Sequence, residues 1–304
     1  MSYICSVLLN YYTHTPMIEC NNLTFAYNKS LPVLNDFNLT ISNGGIYGIL
    51  GKNGAGKSTL LSLMCGLLTP KSGEVLLDGI NVRRRLPSTL SNTFLVPEEF
   101  ELPHISMEEY CRINAPFYPN FDLEDLKHNL EMFELTFNIN LGQLSMGQKK
   151  KAFMSFALAC NTGVLIMDEP TNGLDITSKV QFRRFLASHM TDDRIIIIST
   201  HQVHDVELLL DHIIIVDNRS LLLNRSTQEI TRRLRFFNTL TAPDTEDSSL
   251  LFAQRGVGGF ANVALRPGDG SDDETDINLE SLYELCCRNP MLITRIFTPE
   301  EKES

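Results

Sequence analysis

The sequence predicts an α/β fold built on a parallel sheet buried on both faces, and three runs carry that expectation. Ile46–Leu50 and Val164–Met167 are continuous apolar stretches of strand length, and Ile195–Ile198 is a third. Unbroken apolar runs of four or five residues suit the middle of a parallel sheet covered by helices, where alternation with polar residues is not needed. Thr59–Leu68, directly after the first run, carries leucines and Met64 at helical spacing and so predicts a strand–loop–helix unit.

Between that strand and helix lies Gly51-Lys-Asn-Gly-Ala-Gly-Lys-Ser-Thr59, a complete G-x-x-x-x-G-K-S loop. Gly51, Gly54 and Gly56 permit backbone torsions forbidden to other residues, so successive N–H groups, those of Asn53 and Ala55 included, can converge on phosphate oxygens at a helix N-terminus. Lys57 reaches the β- and γ-phosphates, and Ser58 offers a hydroxyl oxygen to magnesium, with Thr59 closing the loop. A plain glycine-rich turn is the alternative; the strand before and the helix after count against it. The second chemical run is Val164-Leu-Ile-Met-Asp-Glu-Pro170, a strand ending in two acids. Ligands of open α/β sheets sit beyond the carboxyl ends of the strands, so Asp168 can hold magnesium while Glu169 orients and deprotonates a water. Acids commonly end strands, and alone this run reads as a core strand reaching the surface.

The order of motifs resembles one family, the ATP-binding cassette (ABC) ATPases, and among them the nucleotide-binding subunits of membrane transporters. Leu144-Ser-Met-Gly-Gln148 is similar to that family's L-S-G-G-Q signature, Thr171-Asn-Gly-Leu-Asp175 to the loop after the acidic strand, and Ser199-Thr-His201 to its switch histidine. Tyr27 matches the aromatic residue that stacks on adenine. The resemblance spans roughly residues 17–216 and implies ATP and Mg2+ as cofactors, hydrolysis of ATP, and a nucleotide-triphosphatase core with an N-terminal antiparallel β subdomain and an inserted helical subdomain at about 98–161. It further implies that Ser145, Gly147 and Gln148 meet ATP held on the Gly51 loop of a second copy or a homologous cassette. Asp175 then lies at that dimer interface and His201 bonds the γ-phosphate. Ser145 begins a helix expected to run through Ala157, whose N-terminal partial positive charge suits phosphate.

One position departs from the pattern: where the family carries a magnesium-contacting glutamine, Leu95-Val-Pro97 is followed by Glu98. Glu98 is the candidate metal ligand there, and Glu98-Glu99 reads equally well as a solvated turn. Met146 stands in place of the family's first signature glycine. Phe100 to Phe137 is expected to form the helical subdomain that receives a transmembrane permease subunit, with its aromatic residues forming a small core of their own.

Composition sets the remaining bounds. With 304 residues, 43% hydrophobic, the chain can hold one large domain and an appendage. No apolar run approaches the roughly eighteen residues that cross a bilayer, so any membrane function is expected to come from a partner, with the chain cytoplasmic and peripheral at the inner face of the membrane. A formal charge of −11 opposes non-specific nucleic-acid binding. The basic triplets Arg83–Arg85 and Lys149–Lys151 make no binding stripe; the second either stays near phosphate or faces water. Seven cysteines without metal spacing read as buried thiols in a reducing compartment.

Residues 1–16 are expected to be a poorly ordered extension, with Met17 a candidate start and Ile18–Phe25 the opening strand of a cassette over 17–222. Residues 223–304 are expected to form an α+β accessory domain: a helix over Thr227–Phe236 capped by threonine, short strands within Ser248–Val263, and an amphipathic helix over Ile277–Asn289 ended by Pro290. Asp269–Asp276 only superficially resembles a calcium loop, because Glu274 occupies the place that demands glycine. The single cassette with an appended tail resembles exporter subunits. A soluble ABC ATPase of DNA maintenance or translation is the alternative, and it usually carries a coiled-coil insertion, a zinc module or a second cassette. A GTPase would carry an N-K-x-D motif, which is missing.

Overall fold

A computed structural model describes residues 15–28, 31–243, 248–256, 258–266 and 276–298. The expectation for residues 1–16 therefore lies almost wholly outside the described residues, as does nearly all of the acidic stretch 269–276. Its first sheet is antiparallel, in the order β2-β1-β4-β5, from β1 (Ile18–Phe25), β2 (Leu34–Ile41), β4 (Ser72–Leu77) and β5 (Ile80–Asn81). In β1 the buried residues are Ile18 and Cys20, then Leu23 and Phe25, so the inward-facing set shifts by one place midway. A bulge between Cys20 and Leu23, with Asn22 at φ 49°, absorbs the extra residue and returns the apolar side chains to the core.

The second sheet has the order β10-β9-β3-β8-β7-β6. Strands β3 (Gly45–Leu50), β6 (Thr93–Val96), β7 (Val164–Asp168), β8 (Ile195–Thr200) and β9 (His212–Asp217) run parallel, and β10 (Ser220–Ser226) closes the edge antiparallel to β9. Every residue of β3, β7 and β8 is buried, as suits the apolar runs that make up most of each strand. Because β3, β8 and β7 are direct neighbours, the segments leaving their carboxyl ends lie side by side, and this adjacency builds the site.

Helix α1 (Lys57–Met64) starts earlier and stops sooner than the leucine spacing suggested. Gly66, at φ 64° and with its α-carbon pressed toward the Val82 carbonyl, turns the chain away before Leu68. After the short α2 (Pro87–Ser91) come α3 (Met107–Asn114), capped by Ser106, α4 (Leu123–Met132), capped by Asp122, and α5 (Met146–Ala159). Helices α3 and α5 and the turn before α4 pack through aromatic side chains around Phe156, whose ring lies 5.0 Å from Tyr110, 5.4 Å from Phe121 and 6.0 Å from Phe94 of β6. Helix α6 (Ile176–Ser188) covers the sheet with Phe182 and Phe185 fully buried.

The C-terminal region differs from expectation in two places. Helix α7 occupies only Thr227–Arg233, and its cap is Ser226 rather than Thr227, through a reciprocal pair with Glu229. The chain then enters β11 (Leu234–Thr239), which joins β12 (Leu250–Gly256) and β13 (Gly259–Leu265) in an antiparallel sheet ordered β11-β13-β12. Leu234 and Phe236 face inward with Arg235 exposed between them, a two-residue period that suits a strand and defeats the helix. The amphipathic helix is α8 (Leu279–Arg288), and Pro290, expected as a stop, is instead the first residue of α9 (Pro290–Phe297). Helix α8 rests on the core: Tyr283 O–H donates to Asp217 at 3.3 Å, the Lys52 ammonium lies 5.9 Å from the Tyr283 ring centre, and His204 meets Glu280 at 3.4 Å. Buried Cys20 and Cys111 have thiols pushed up to about 12 by burial, in keeping with inert packing.

Candidate functional site

The phosphate loop leaves the end of β3 and runs into α1. Gly54 and Gly56 take φ values of +82° and +99°, which side chains with a Cβ rarely adopt. Gly51 is needed for a different reason than the torsional freedom expected of it: a Cβ there would stand 2.5 Å from the Val216 carbonyl oxygen of β9. Asn53 and Ser58 are exposed, and the Ala55 N–H donates to the Lys52 carbonyl at 3.1 Å. Helix α1 has no side-chain cap and no acid in its first turn. Its N-terminal N–H groups and partial positive charge are therefore available to an anion, which fits a phosphate.

Lys57 is buried and points back under the loop, donating to the Gly51 carbonyl at 2.8 Å and standing 3.5 Å from Glu169 Oε1. Tyr27 projects at the edge of the loop, 64% exposed, its hydroxyl 3.0 Å from Thr59 Oγ1 and its ring edge-on to Phe25. One face of the ring is thus open for stacking.

At the end of β7, Ser199 of the neighbouring β8 ties both acids. Its hydroxyl donates to Asp168 Oδ1, and its carbonyl and hydroxyl oxygens accept from the Glu169 N–H at 3.0 and 3.2 Å. Glu169 sits at φ +45°, a left-handed conformation uncommon for a non-glycine residue. Its carboxylate, 3% exposed as a residue, is met by His201 Nδ1 at 2.8 Å and by the His201 N–H at 3.3 Å. An ionised carboxylate only accepts, so the ring contact places a proton on Nδ1 of His201. Lys57, Asp168, Glu169 and His201 thus converge from three adjacent strand ends.

Glu98 Oε1 accepts from Asn172 Nδ2 at 2.8 Å, and Asn172 Oδ1 accepts from Gln202 at 3.0 Å. The carboxylate is partly buried and linked to the loop after β7, which the solvated-turn reading does not provide. Like Ser58 and Asp168, it carries oxygen donors, the ligand type that a small hard cation such as magnesium takes.

The signature segment lies on another edge. Ser145 caps α5 in a reciprocal pair with Gln148: the Gln148 N–H donates to Ser145 Oγ at 3.3 Å and the Ser145 N–H to Gln148 Oε1 at 3.1 Å. Ser145 is exposed, Met146 is 55% exposed, and the first turn of α5 carries no acid. Gly147 lies against the loop after β7, where an added Cβ would stand 3.4 Å from the Gly173 carbonyl oxygen. Asp175 caps α6 by accepting from the Ser178 N–H at 2.7 Å, and that bond, with a second from the Ser178 side chain, holds its carboxyl below the usual range. Its carboxylate is thereby occupied within its own chain.

One lysine of the basic triplet departs from both expectations. Lys150 neither faces water nor reaches for phosphate: it is 4% exposed and donates to the carbonyls of Glu169 at 3.2 Å and Asn172 at 2.9 Å. The signal was available, since Lys150, Met154 and Leu158 fall on one face at four-residue intervals, and the latter two are core residues.

A phosphate loop between a parallel strand and a helix, with acids ending a nearby strand of the same sheet, defines a P-loop nucleoside triphosphatase. The ABC transporter family profile matches residues 34–172. A Pyrococcus furiosus protein, PF0068, named as an ABC transporter ATP-binding protein, is 32% identical over 256 residues, covering 80% of this chain and 94% of its own. The bacitracin transport ATP-binding protein BcrA of Bacillus licheniformis is 29% identical over 244 residues, 78% of this chain and 79% of that one. A solved ATP-binding subunit of an ABC transporter shares the fold at a TM-score of 0.64 and 24% identity, over 71% of this chain and 92% of its own. Further relatives bear the names of zinc uptake and Nod factor export systems. The chain belongs to the ABC transporter ATP-binding proteins: it is an ATPase subunit using ATP and Mg2+, of a class that dimerises and works with transmembrane partners. No helix among the described residues is long and apolar enough to cross a membrane.

Proposed function

We propose that two copies of this chain, or one copy and a homologous cassette, enclose two ATP molecules at shared sites and drive a separate permease, in the direction of export, from the inner face of the cell membrane. In each site the Asn53–Ala55 backbone, Gly51, Gly54, Gly56, Lys57 and Thr59 hold the phosphates, and Tyr27 stacks on the base. Ser58, Asp168 and Glu98 would hold magnesium, which would supply neutralisation of phosphate charge. Glu169 takes the proton of the attacking water, and His201, bridging carboxylate and phosphate, keeps that water in line. The opposite wall is the partner's Ser145–Gln148 helix end, with Asp175 beside it. Residues 98–161 act as the helical subdomain facing the permease, within a cassette over 17–222, and residues 223–304 as an accessory region. Export rests on the likeness of a single cassette with an appended tail to exporter subunits.

The observation that carries the shared-site reading is the exposed N-terminus of α5. Ser145 projects there at an acid-free helix end, an anion-binding feature on the same chain as a complete phosphate loop. The test is Glu169→Gln with Mg-ATP, followed by light scattering after size exclusion. We expect a stable dimer and turnover lower by about 100- to 10,000-fold, the range of general-base catalysis. Adding Ser145→Arg should return the protein to monomer. A Glu169→Gln protein that stays monomeric at saturating Mg-ATP, or that turns over near the wild-type rate, sinks the scheme.

A further inference from the structure

Glu169 must keep two unfavourable features at once: a left-handed backbone at φ +45°, and a buried carboxylate aimed at Lys57 and His201. A left-handed conformation is strained for a side-chain-bearing residue, so neighbouring groups must hold it. Ser199 holds the N–H side of the residue, as described above. The carbonyl side is held by Lys150, whose ammonium donates to Glu169 at 3.2 Å and, across the turn, to Asn172 at 2.9 Å. One side chain therefore closes the loop between the acid and the segment carrying Asn172, Gly173 and Asp175.

Lys150 stands on α5, little more than one turn beyond Ser145, and its residue surface is 4% exposed. Burial lowers its pKa, and the nearby negative charges of Glu98, Glu169 and Asp168 oppose that shift. Burying an ammonium is costly, and an apolar side chain would pack on this face of α5 at less expense. What an apolar residue could not provide is the pair of donated bonds.

We propose that Lys150 is a positioning residue for ATP hydrolysis: it fixes the main chain of Glu169 so that the carboxylate is correctly aimed, and it joins the signature helix rigidly to that carboxylate. The proposal rests on the assignment of Glu169 as the general base. When Ser145 and the first turn of α5 engage phosphate on the opposite protomer, displacement of the helix is transmitted through the Lys150 ammonium to Glu169 and to the loop through Asp175. The base is then in line only when both walls of the site are closed.

The experiment places Lys150→Met, Lys150→Gln and Lys150→Arg in the full chain, each in the wild-type and the Glu169→Gln background, with thermal melting as the control for folding. For Lys150→Met, kcat should fall about 10- to 100-fold with the KM for ATP within about threefold, as expected for misplacing a group by an ångström or so. Lys150→Arg, which keeps charge and donors, should recover most of the rate. In the Glu169→Gln background, adding Lys150→Met should change the residual single-turnover rate by less than about twofold, because the base through which Lys150 acts is already gone. Should Lys150→Met melt early, Lys150→Gln, with one amide donor group, carries the same comparison. A kcat within about twofold of wild type overturns the proposal, and so does an equal fractional loss in both backgrounds, which marks Lys150 as a packing residue only. If Glu169→Gln alone turned over normally, the base assignment itself would fall, and that result is read without any change at Lys150.

Discussion

Replacing Lys57 by methionine removes one positive charge and the three donors of its ammonium while nearly conserving side-chain length. The ammonium is already satisfied by the chain itself, 2.8 Å from the Gly51 carbonyl and 3.5 Å from Glu169 Oε1. ATP therefore gains an exchange of partners rather than a new bond, and the net value of a hydrogen bond to a charged group, about 1.5–3 kcal/mol, is the appropriate scale. At 1.4 kcal/mol per factor of ten, Lys57→Met should raise the Kd for Mg-ATP by about 10- to 150-fold. The variant should also melt earlier, because Glu169, 3% exposed, loses the ammonium at 3.5 Å and is left with the His201 hydrogen bonds and the field of Lys150; an under-satisfied buried acceptor costs about 1–3 kcal/mol. Isothermal titration gives the first quantity and thermal unfolding without nucleotide the second. A Kd within about threefold of wild type would show that Lys57 does not grip phosphate, and the assignment of the loop would have to be abandoned.

Gly51→Ala should destabilise the protein by about 1–3 kcal/mol, since the new methyl would lie 2.5 Å from the Val216 carbonyl oxygen and the loop or β9 must move; an unchanged melting temperature refutes the close-approach argument. His212 stacks on Tyr47 with ring centres 4.3 Å apart, and burial lowers its pKa below 6.5 against the opposing charges of Asp211 and Glu229. The unfolded chain then takes up this proton before the folded one, so stability should be lost as pH falls from about 6.5 through the lowered pKa. His212→Phe should lose less melting temperature than wild type between about pH 7.5 and 5, and parallel acid slopes would count against the assignment.

The parts of the chain legible in sequence are those where chemistry dictates residue type. A backbone cradle requires glycines at fixed places, a metal requires an oxygen donor, and strands covered on both faces have no use for polar residues, so β3, β7 and β8 are unmistakable. The α/β class followed from those apolar runs, and the family from the order of the motifs. Illegible were contacts that depend on distant segments meeting. Nothing near Lys150 discloses that the carbonyls of Glu169 and Asn172 will stand above it, and nothing near Gly51 discloses that β9 passes overhead. In the last third, Arg232, Arg233 and Arg235 gave a helix-like basic end to a segment whose alternation at Leu234 and Phe236 is that of a strand. Pro290 misled because proline serves helix starts as readily as it ends them.

The seating of α8 on the sheet has a broader meaning for how the chain holds together. Leu279, Leu282 and Leu285 belong to the same continuous hydrophobic cluster as Ile213 and Ile215 of β9, Leu50 of β3 and Leu165 of β7. Greasy contact thus extends without a seam from the middle of the parallel sheet to Ile293 and Phe297 of α9. Trimming away α8 and α9 would uncover apolar side chains of the outer strands and leave a sticky, naked flank, so these two helices are masonry of the sheet they cover.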